Sequence, residues 1–200
     1  DGAEVANSLV ELKSTVEELD PSDVNFSHAP GFLGKFFKFL NPVKKYFDKY
    51  KSSLEKIGRA LDAYSDNTLL DKIFYFELVV FCFLTGNNDM HLKNFSMIES
   101  PSGWVLAPAY DLLNVAIVIP DDKEEIALTL DGKKRKLKRT HFEELGSKLG
   151  LTEKQIQATF KRMVKNKAKA FSWIKRSFLS NEMQAAYKEV LESRYEQLDI

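Results

Sequence analysis

Nine consecutive residues, Gly86 to Asn94 (GNNDMHLKN), gather a carboxylate, carboxamides, an imidazole and an ammonium into one short stretch. Asp89 and Asn94 stand five positions apart. Phosphoryl-transfer sites use this separation to set a carboxylate that orients a hydroxyl beside an amide oxygen that binds Mg2+. By itself the spacing is a weak signal, since Asn follows Asp at that distance in about one case in twenty at ordinary residue frequencies. An Asx turn capping the loop accounts for Asp89 without any chemistry.

A second carboxylate strengthens the first. Asp111 lies in LAPAYDLL, where a kinase-like site needs an acid to grip the metal ions that bridge nucleotide phosphates. Asn94 and Asp111 read equally as turn residues when taken singly. Together, GNNDMHLKN and LAPAYDLL resemble the HipA family of bacterial serine/threonine protein kinases, toxins of toxin–antitoxin pairs with a protein-kinase-like fold. The resemblance is most specific from Asp71 to Val115 and continues more weakly through IALTLDGKKRKLKRTHFEELGSKLGL.

That resemblance implies a set of roles. Asp89 would be the catalytic base toward a Ser or Thr hydroxyl. Asn94 and Asp111 would be Mg2+ ligands. His91 and Lys93 would lie near the phosphates of ATP, and Tyr110 would pack beside the metal site. The partners implied are a hydroxyl-bearing protein substrate and a DNA-binding antitoxin. A working kinase also needs a glycine-rich loop over the triphosphate and a strand lysine. GFLG and VAIVIP are poor substitutes for the loop, and the lysines before Asp89 fall in helical patterns. The reading that follows is the C-terminal lobe of a kinase, whose N-terminal lobe is fused in a longer chain or encoded separately, with little activity alone. A non-catalytic module that binds a partner lobe or an antitoxin is the alternative.

The elements that must position these residues are mostly helical. Val5, Leu9, Leu12, Val16 and Leu19 form one helical face, which DPSD ends. Phe32, Phe36, Phe37 and Phe39 sit among Pro and Gly in a short docking segment, and with Tyr46, Phe47 and Tyr50 they fit a helix core or a lobe-docking surface. Asn41-Pro42 opens a helix that breaks near Ser52 and Ser53. Asn67 or Thr68 caps the next, with Asp71 in its first turn and Gly86 as its stop, so the nine-residue stretch begins where a buried helix ends. Two hairpins follow, one turning at PSG and one at Asp131-Gly132. Capping boxes at Thr140/Glu143 and Thr152/Gln155 start further helices, with Gly150 stopping the first of these. The fold class expected is mostly α (α+β), a helical C-terminal kinase lobe over residues 54–200 preceded by a helical segment over 1–53.

Composition narrows the alternatives. Twenty-nine basic residues balance twenty-nine acidic ones, so no global field draws nucleic acid or anionic lipid. The basic run Lys133 to Arg139 alternates to both faces of its hairpin near DDKEE, which favours a solvated strand over a nucleic-acid contact. Cys82 sits alone in LVVFCFL as a small buried hydrophobe, which fits a reducing cytoplasm. His28 and His141 show no ligand spacing with His91, which disfavours a zinc site. The apolar run Ile73 to Leu84 is shorter than the roughly 20 residues a bilayer requires. The N-terminus has no leader pattern and no initiator Met, from which a processed or expressed fragment is expected.

Overall fold

The structure, a computed structural model, describes residues 54–200. The helix expected over 5–19, His28, the Phe32–Phe39 segment, the helix start at Asn41-Pro42, the aromatics Tyr46, Phe47 and Tyr50, and the whole 1–53 segment lie outside those residues.

Helix α1 (Leu54–Tyr64) buries Leu54, Ile57 and Leu61, one stripe at helical spacing. Helix α2 (Thr68–Leu84) is different. Tyr75, Phe76, Val79, Val80, Phe83 and Leu84 bury most of its circumference, so it is the axis against which the others pack. Its contacts reach α1, the hairpin strand β2 and the three later helices. The start of α2 is held by polar bonds. Buried Asp71 accepts from the Ser65 hydroxyl and from the Leu106 N–H, each at 2.7 Å. Thr68 Oγ1 donates to the Ser65 carbonyl at 2.8 Å, whereas Asn67 makes no side-chain cap. Inside the core, the Tyr75 hydroxyl donates to the Leu54 carbonyl at 2.8 Å.

Strands β1 (Met97–Ser100) and β2 (Gly103–Leu106) form the first expected hairpin, antiparallel, with Met97 opposite Leu106 and Ser100 opposite Gly103. The second is reduced. Asp131 and Gly132 both take positive φ, 50° and 70°, as a tight turn requires, but the ladder is a single bridge between Leu130 and Lys133. Ile126, Ala127 and Leu128 are buried in succession, so the segment does not alternate as a half-exposed strand would, and Lys136 at φ 54° ends its extended course. Two of the six basic residues in the run make ion pairs, Lys134 to Glu124 at 2.8 Å and Arg139 to Glu143 at 2.8 Å.

Helices α3 (Arg139–Lys148), α4 (Glu153–Arg176) and α5 (Asn181–Gln197) complete the lobe. The box at Thr152 forms as expected: Gln155 Oε1 accepts from the Thr152 N–H at 2.7 Å, and Thr152 Oγ1 accepts from the Gln155 N–H at 3.4 Å. The box at Thr140 does not. Helix α3 begins one residue before Thr140, and His141 Nδ1 accepts from the Lys138 N–H at 2.8 Å, so an imidazole takes the part expected of Glu143. Glu143 instead turns to Arg139. The core joins α2 to these helices through aromatic pairs, with Phe83 and Phe142 at 5.0 Å between ring centres and Phe76 edge-on to Phe160 at 6.2 Å. Among the described residues no helix is long and apolar enough to cross a membrane.

Glu125 ties the last helix to the middle of the chain. It pairs with Arg194 at 3.0 Å, accepts from the Leu137 N–H at 2.9 Å and accepts from Gln197 Nε2 with both oxygens, at 3.1 and 3.2 Å, while that nitrogen also donates to the Leu137 carbonyl at 2.7 Å. Arg194 also lies 4.7 Å over the Phe83 ring. Glu125→Ala strands the Arg194 charge and the Leu137 N–H. It should lower unfolding free energy by ~2 kcal/mol, read as a lower urea midpoint at unchanged slope, with Glu125→Gln losing less.

Cys82 is buried as expected, and burial pushes its thiol up to about 12, only partly offset by the Asn87 amide. The native thiol should stay unmodified by iodoacetamide at pH 8 and react fully in guanidinium. The folded pKa is raised, so between about 9 and 12 the native state binds the extra proton and stability falls as pH rises through that window.

Candidate active site

The nine-residue stretch opens at the C-terminus of α2, where backbone carbonyls need donors. Gly86 adopts φ 71°; its N–H donates to the Phe83 carbonyl at 3.3 Å and the Asn87 N–H to the Cys82 carbonyl at 2.8 Å, the paired bonds of a Schellman ending. A Cβ at Gly86 would lie 2.8 Å from Asn114 Oδ1, 3.0 Å from Ala116 Cβ and 3.1 Å from Val190 Cγ1, so glycine is required by space as well as by φ. The Gly86 carbonyl accepts from the Ala116 N–H at 3.1 Å.

Beyond the turn, asparagines hold the loop. Asn87 Oδ1 accepts from the Asp89 N–H at 3.4 Å, so the Asx-type contact expected of Asp89 comes from its neighbour. Asn94, 4% exposed, donates from Nδ2 to the Asp89 carbonyl at 3.1 Å. Its own N–H donates to the His91 carbonyl at 2.9 Å as residues Leu92–Asn94 form one 3-10 turn. Met90 anchors the loop from below among Leu78 and Cys82. Among the described residues no backbone group bonds the Asp89 side chain. It is half-exposed and meets His91 Nε2 at 3.0 Å.

The remaining candidates lie close to this loop without forming one cluster. Lys93 is exposed; its carbonyl accepts from the Tyr110 hydroxyl at 3.0 Å, which ties the 110–111 segment to the loop. Asp111 is exposed at φ 56°, a left-handed conformation uncommon outside glycine, and no hydrogen bond or ion pair engages its carboxylate among the described residues. No three His, Cys, Asp or Glu side chains among the described residues group to hold a metal ion. The oxygen donors on offer are the Asp111 carboxylate and Asn94 Oδ1; the Asn94 Nδ2 is committed to the Asp89 carbonyl. An amide oxygen and a carboxylate suit Mg2+, which favours hard oxygen ligands.

Sequence reasoning missed the far wall. Asn88, 6% exposed, donates from Nδ2 to Asp122 Oδ2 at 2.8 Å and to the Glu124 carbonyl at 3.0 Å, spanning more than thirty residues of chain. The run VAIVIP forms no strand. It turns at Val115, whose carbonyl accepts from the Val118 and Ile119 N–H groups at 2.9 and 2.8 Å. With Asp89 and His91 it lines a cavity of about 680 Å3. Tyr187, also in that wall, has its hydroxyl pushed up by burial, an effect the Asn114 amide opposes. A second hollow, about 210 Å3, adjoins the loop at Leu92 and is lined by Ile57, Leu61, Phe95, Met97 and Leu106. Three Asn within one loop was the available signal for a bonded scaffold.

The family model of the HipA-like C-terminal domain matches residues 36–171. The chain belongs to the HipA family. A Sinorhizobium fredii protein named "Putative kinase Y4dM" is 31% identical over 154 residues, 74% of this chain and 35% of its own length. A Haemophilus influenzae protein named "Putative kinase" is 35% identical over 65 residues, covering 32% of this chain and 19% of that protein. Among solved structures, the Shewanella oneidensis HipA, HipB and operator DNA complex aligns over 73% of this chain and 35% of the matched one, with TM-score 0.62 and 25% identity. The chain thus spans about a third of the length of Y4dM and of the Shewanella chain, and corresponds to the HipA-like C-terminal domain.

Gly86→Ala should destabilise the lobe by ~2 kcal/mol in urea unfolding, combining left-handed strain with the crowding from Asn114, Ala116 and Val190.

Proposed function

We propose that this HipA-like domain is the C-terminal lobe of a serine/threonine protein kinase that transfers the γ-phosphate of ATP to a Ser or Thr hydroxyl. One observation carries the reading: among the described residues the Asp89 carboxylate is free of backbone bonds while its carbonyl is fixed by Asn94. Asp89 orients the attacking hydroxyl and receives its proton, and Asn94 Oδ1 with the Asp111 carboxylate would hold Mg2+. When bound, that ion neutralises phosphate charge as the phosphoryl group moves. Phosphoryl transfer asks mainly for alignment and charge neutralisation, so Asp89 needs no unusual proton affinity.

His91 restrains Asp89 through their 3.0 Å pair and, with Lys93, faces the side where phosphates would arrive. Tyr110 keeps Asp111 near the loop through Lys93. The apolar hollow at Leu92 offers a surface for the nucleotide base. The lobe that clamps the triphosphate would be fused in a longer chain or supplied separately, in keeping with matches that cover 35% of each longer relative. The Shewanella complex pairs HipA with HipB on operator DNA, and by that likeness a DNA-binding antitoxin is the proposed partner and a toxin–antitoxin pair the setting. Use of ATP places the reaction in the cytoplasm.

The test reunites the chain with an N-terminal lobe and Mg-ATP. Radiolabel should pass to a protein hydroxyl, and Asp89→Asn should slow that transfer by ~10²-fold or more with the fold intact by circular dichroism. An unchanged rate would remove Asp89 as base and favour a non-catalytic module that binds a lobe or an antitoxin.

A further inference from the structure

We propose that the 680 Å3 cavity beside Asp89 is the docking groove for the acceptor, an extended polypeptide segment that carries basic and apolar residues around its Ser or Thr; this rests on the kinase reading above. Asp89 and His91 are themselves part of the groove wall, so a hydroxyl delivered to Asp89 brings its flanking residues into that space.

The wall is apolar with an acidic edge. Leu113, Val118 and Ile119 line it at 60%, 66% and 52% exposure, an apolar patch turned to solvent at the mouth of a polar loop. Its charged lining residues are Asp89, Asp122 and Glu124, with no Lys or Arg. Lys134 compensates Glu124, but among the described residues Asp122 meets no cation: its oxygens accept from the Asn88 amide and the Glu124 N–H, the latter at 2.9 Å. Such a rim repels the phosphates of a nucleic acid and attracts a cationic segment.

The wall also holds a buried amide oxygen without a partner among the described residues. Asn88 is buried with both amide hydrogens engaged, and its Oδ1 accepts from nothing. Asn114 Oδ1 accepts from the Ile117 N–H at 3.1 Å, and its amide acts on the Tyr187 hydroxyl. The choice of a polypeptide rests on the apolar patch, the acidic edge and the place of Asp89 in the same wall.

The experiment needs no knowledge of the natural acceptor. Two short fluorescein-labelled peptides share a central Ser and flanking Leu residues; one carries Lys and Arg, the other Glu in their places. Titrated with the 200-residue chain at low salt and followed by anisotropy, the basic peptide should bind about tenfold tighter or better. Asp122→Asn, which keeps an acceptor for Asn88, should shrink that preference to about threefold. Leu113→Arg, at an exposed position outside the core, should weaken the basic peptide about tenfold while circular dichroism is unchanged. Equal affinities, a preference for the acidic peptide, no binding of either, or wild-type affinity in both variants would overturn the groove. The kinase reading fails separately: selective binding with no phosphoryl transfer in the reunited enzyme defeats that reading and leaves the groove, whereas transfer whose KM for the basic peptide ignores Leu113→Arg defeats the groove and leaves the kinase.

Discussion

A helix buried on most sides cannot end inside a protein unless its last carbonyls find donors. Helix α2 meets that constraint at Gly86, where the left-handed backbone turns the chain so sharply that the Phe83 and Cys82 carbonyls are satisfied by the next two N–H groups. Everything chemical in the lobe follows from the direction the chain takes there. The same glycine is closely surrounded by Asn114, Ala116 and Val190, so the turn also fixes where the segment after Asp111 and the last helix must pass. Satisfying the end of one helix thus brings the nine-residue loop, the 114–116 segment and α5 to one place.

The loop then divides its work between amides and a carboxylate. Amides donate and accept at once, which suits them to hold backbone, whereas an ionised carboxylate only accepts. Asn87 holds the Asp89 N–H, Asn94 holds the Asp89 carbonyl, and Asn88 holds the distant Asp122–Glu124 segment. With its backbone held from both sides, Asp89 presents a carboxylate that meets His91 and is not spent on a backbone group of the described residues. An orienting base in phosphoryl transfer requires that separation of duties, because a carboxylate spent on a cap has less capacity left for a hydroxyl.

Much of this was legible in the order of residues, for local reasons. The start and stop of α2, the PSG hairpin, the Thr152 box and the positive-φ pair at Asp131-Gly132 all depend on neighbours a few positions apart. The misreadings were competitions that local rules cannot decide. Glu143 was free to cap α3 but found Arg139, and His141 accepted the Lys138 N–H in its stead. The second hairpin shortened to one bridge because Ile126, Ala127 and Leu128 were all drawn into the core. The Asn88 bonds to Asp122 and Glu124 were invisible because they join positions more than thirty residues apart, and with them the acidic wall of the groove.

Asp89 and Asp111 differ in how far the lobe itself determines them. Asp89 is set by bonds inside its own loop and by a core beneath it made of Met90, Leu78 and Cys82. Asp111 is reached only through its neighbour Tyr110, sits on a left-handed backbone and engages no described residue through its carboxylate. A strained, exposed carboxylate gains most from a cation, since binding recovers attraction that solvent otherwise screens. On the kinase reading proposed above, the hydroxyl-orienting half would be in place before nucleotide arrives, while the metal-gripping half would be completed by the ion it holds. That division follows from where the hydrogen bonds lie, inside the nine-residue loop for Asp89 and at Tyr110 for Asp111.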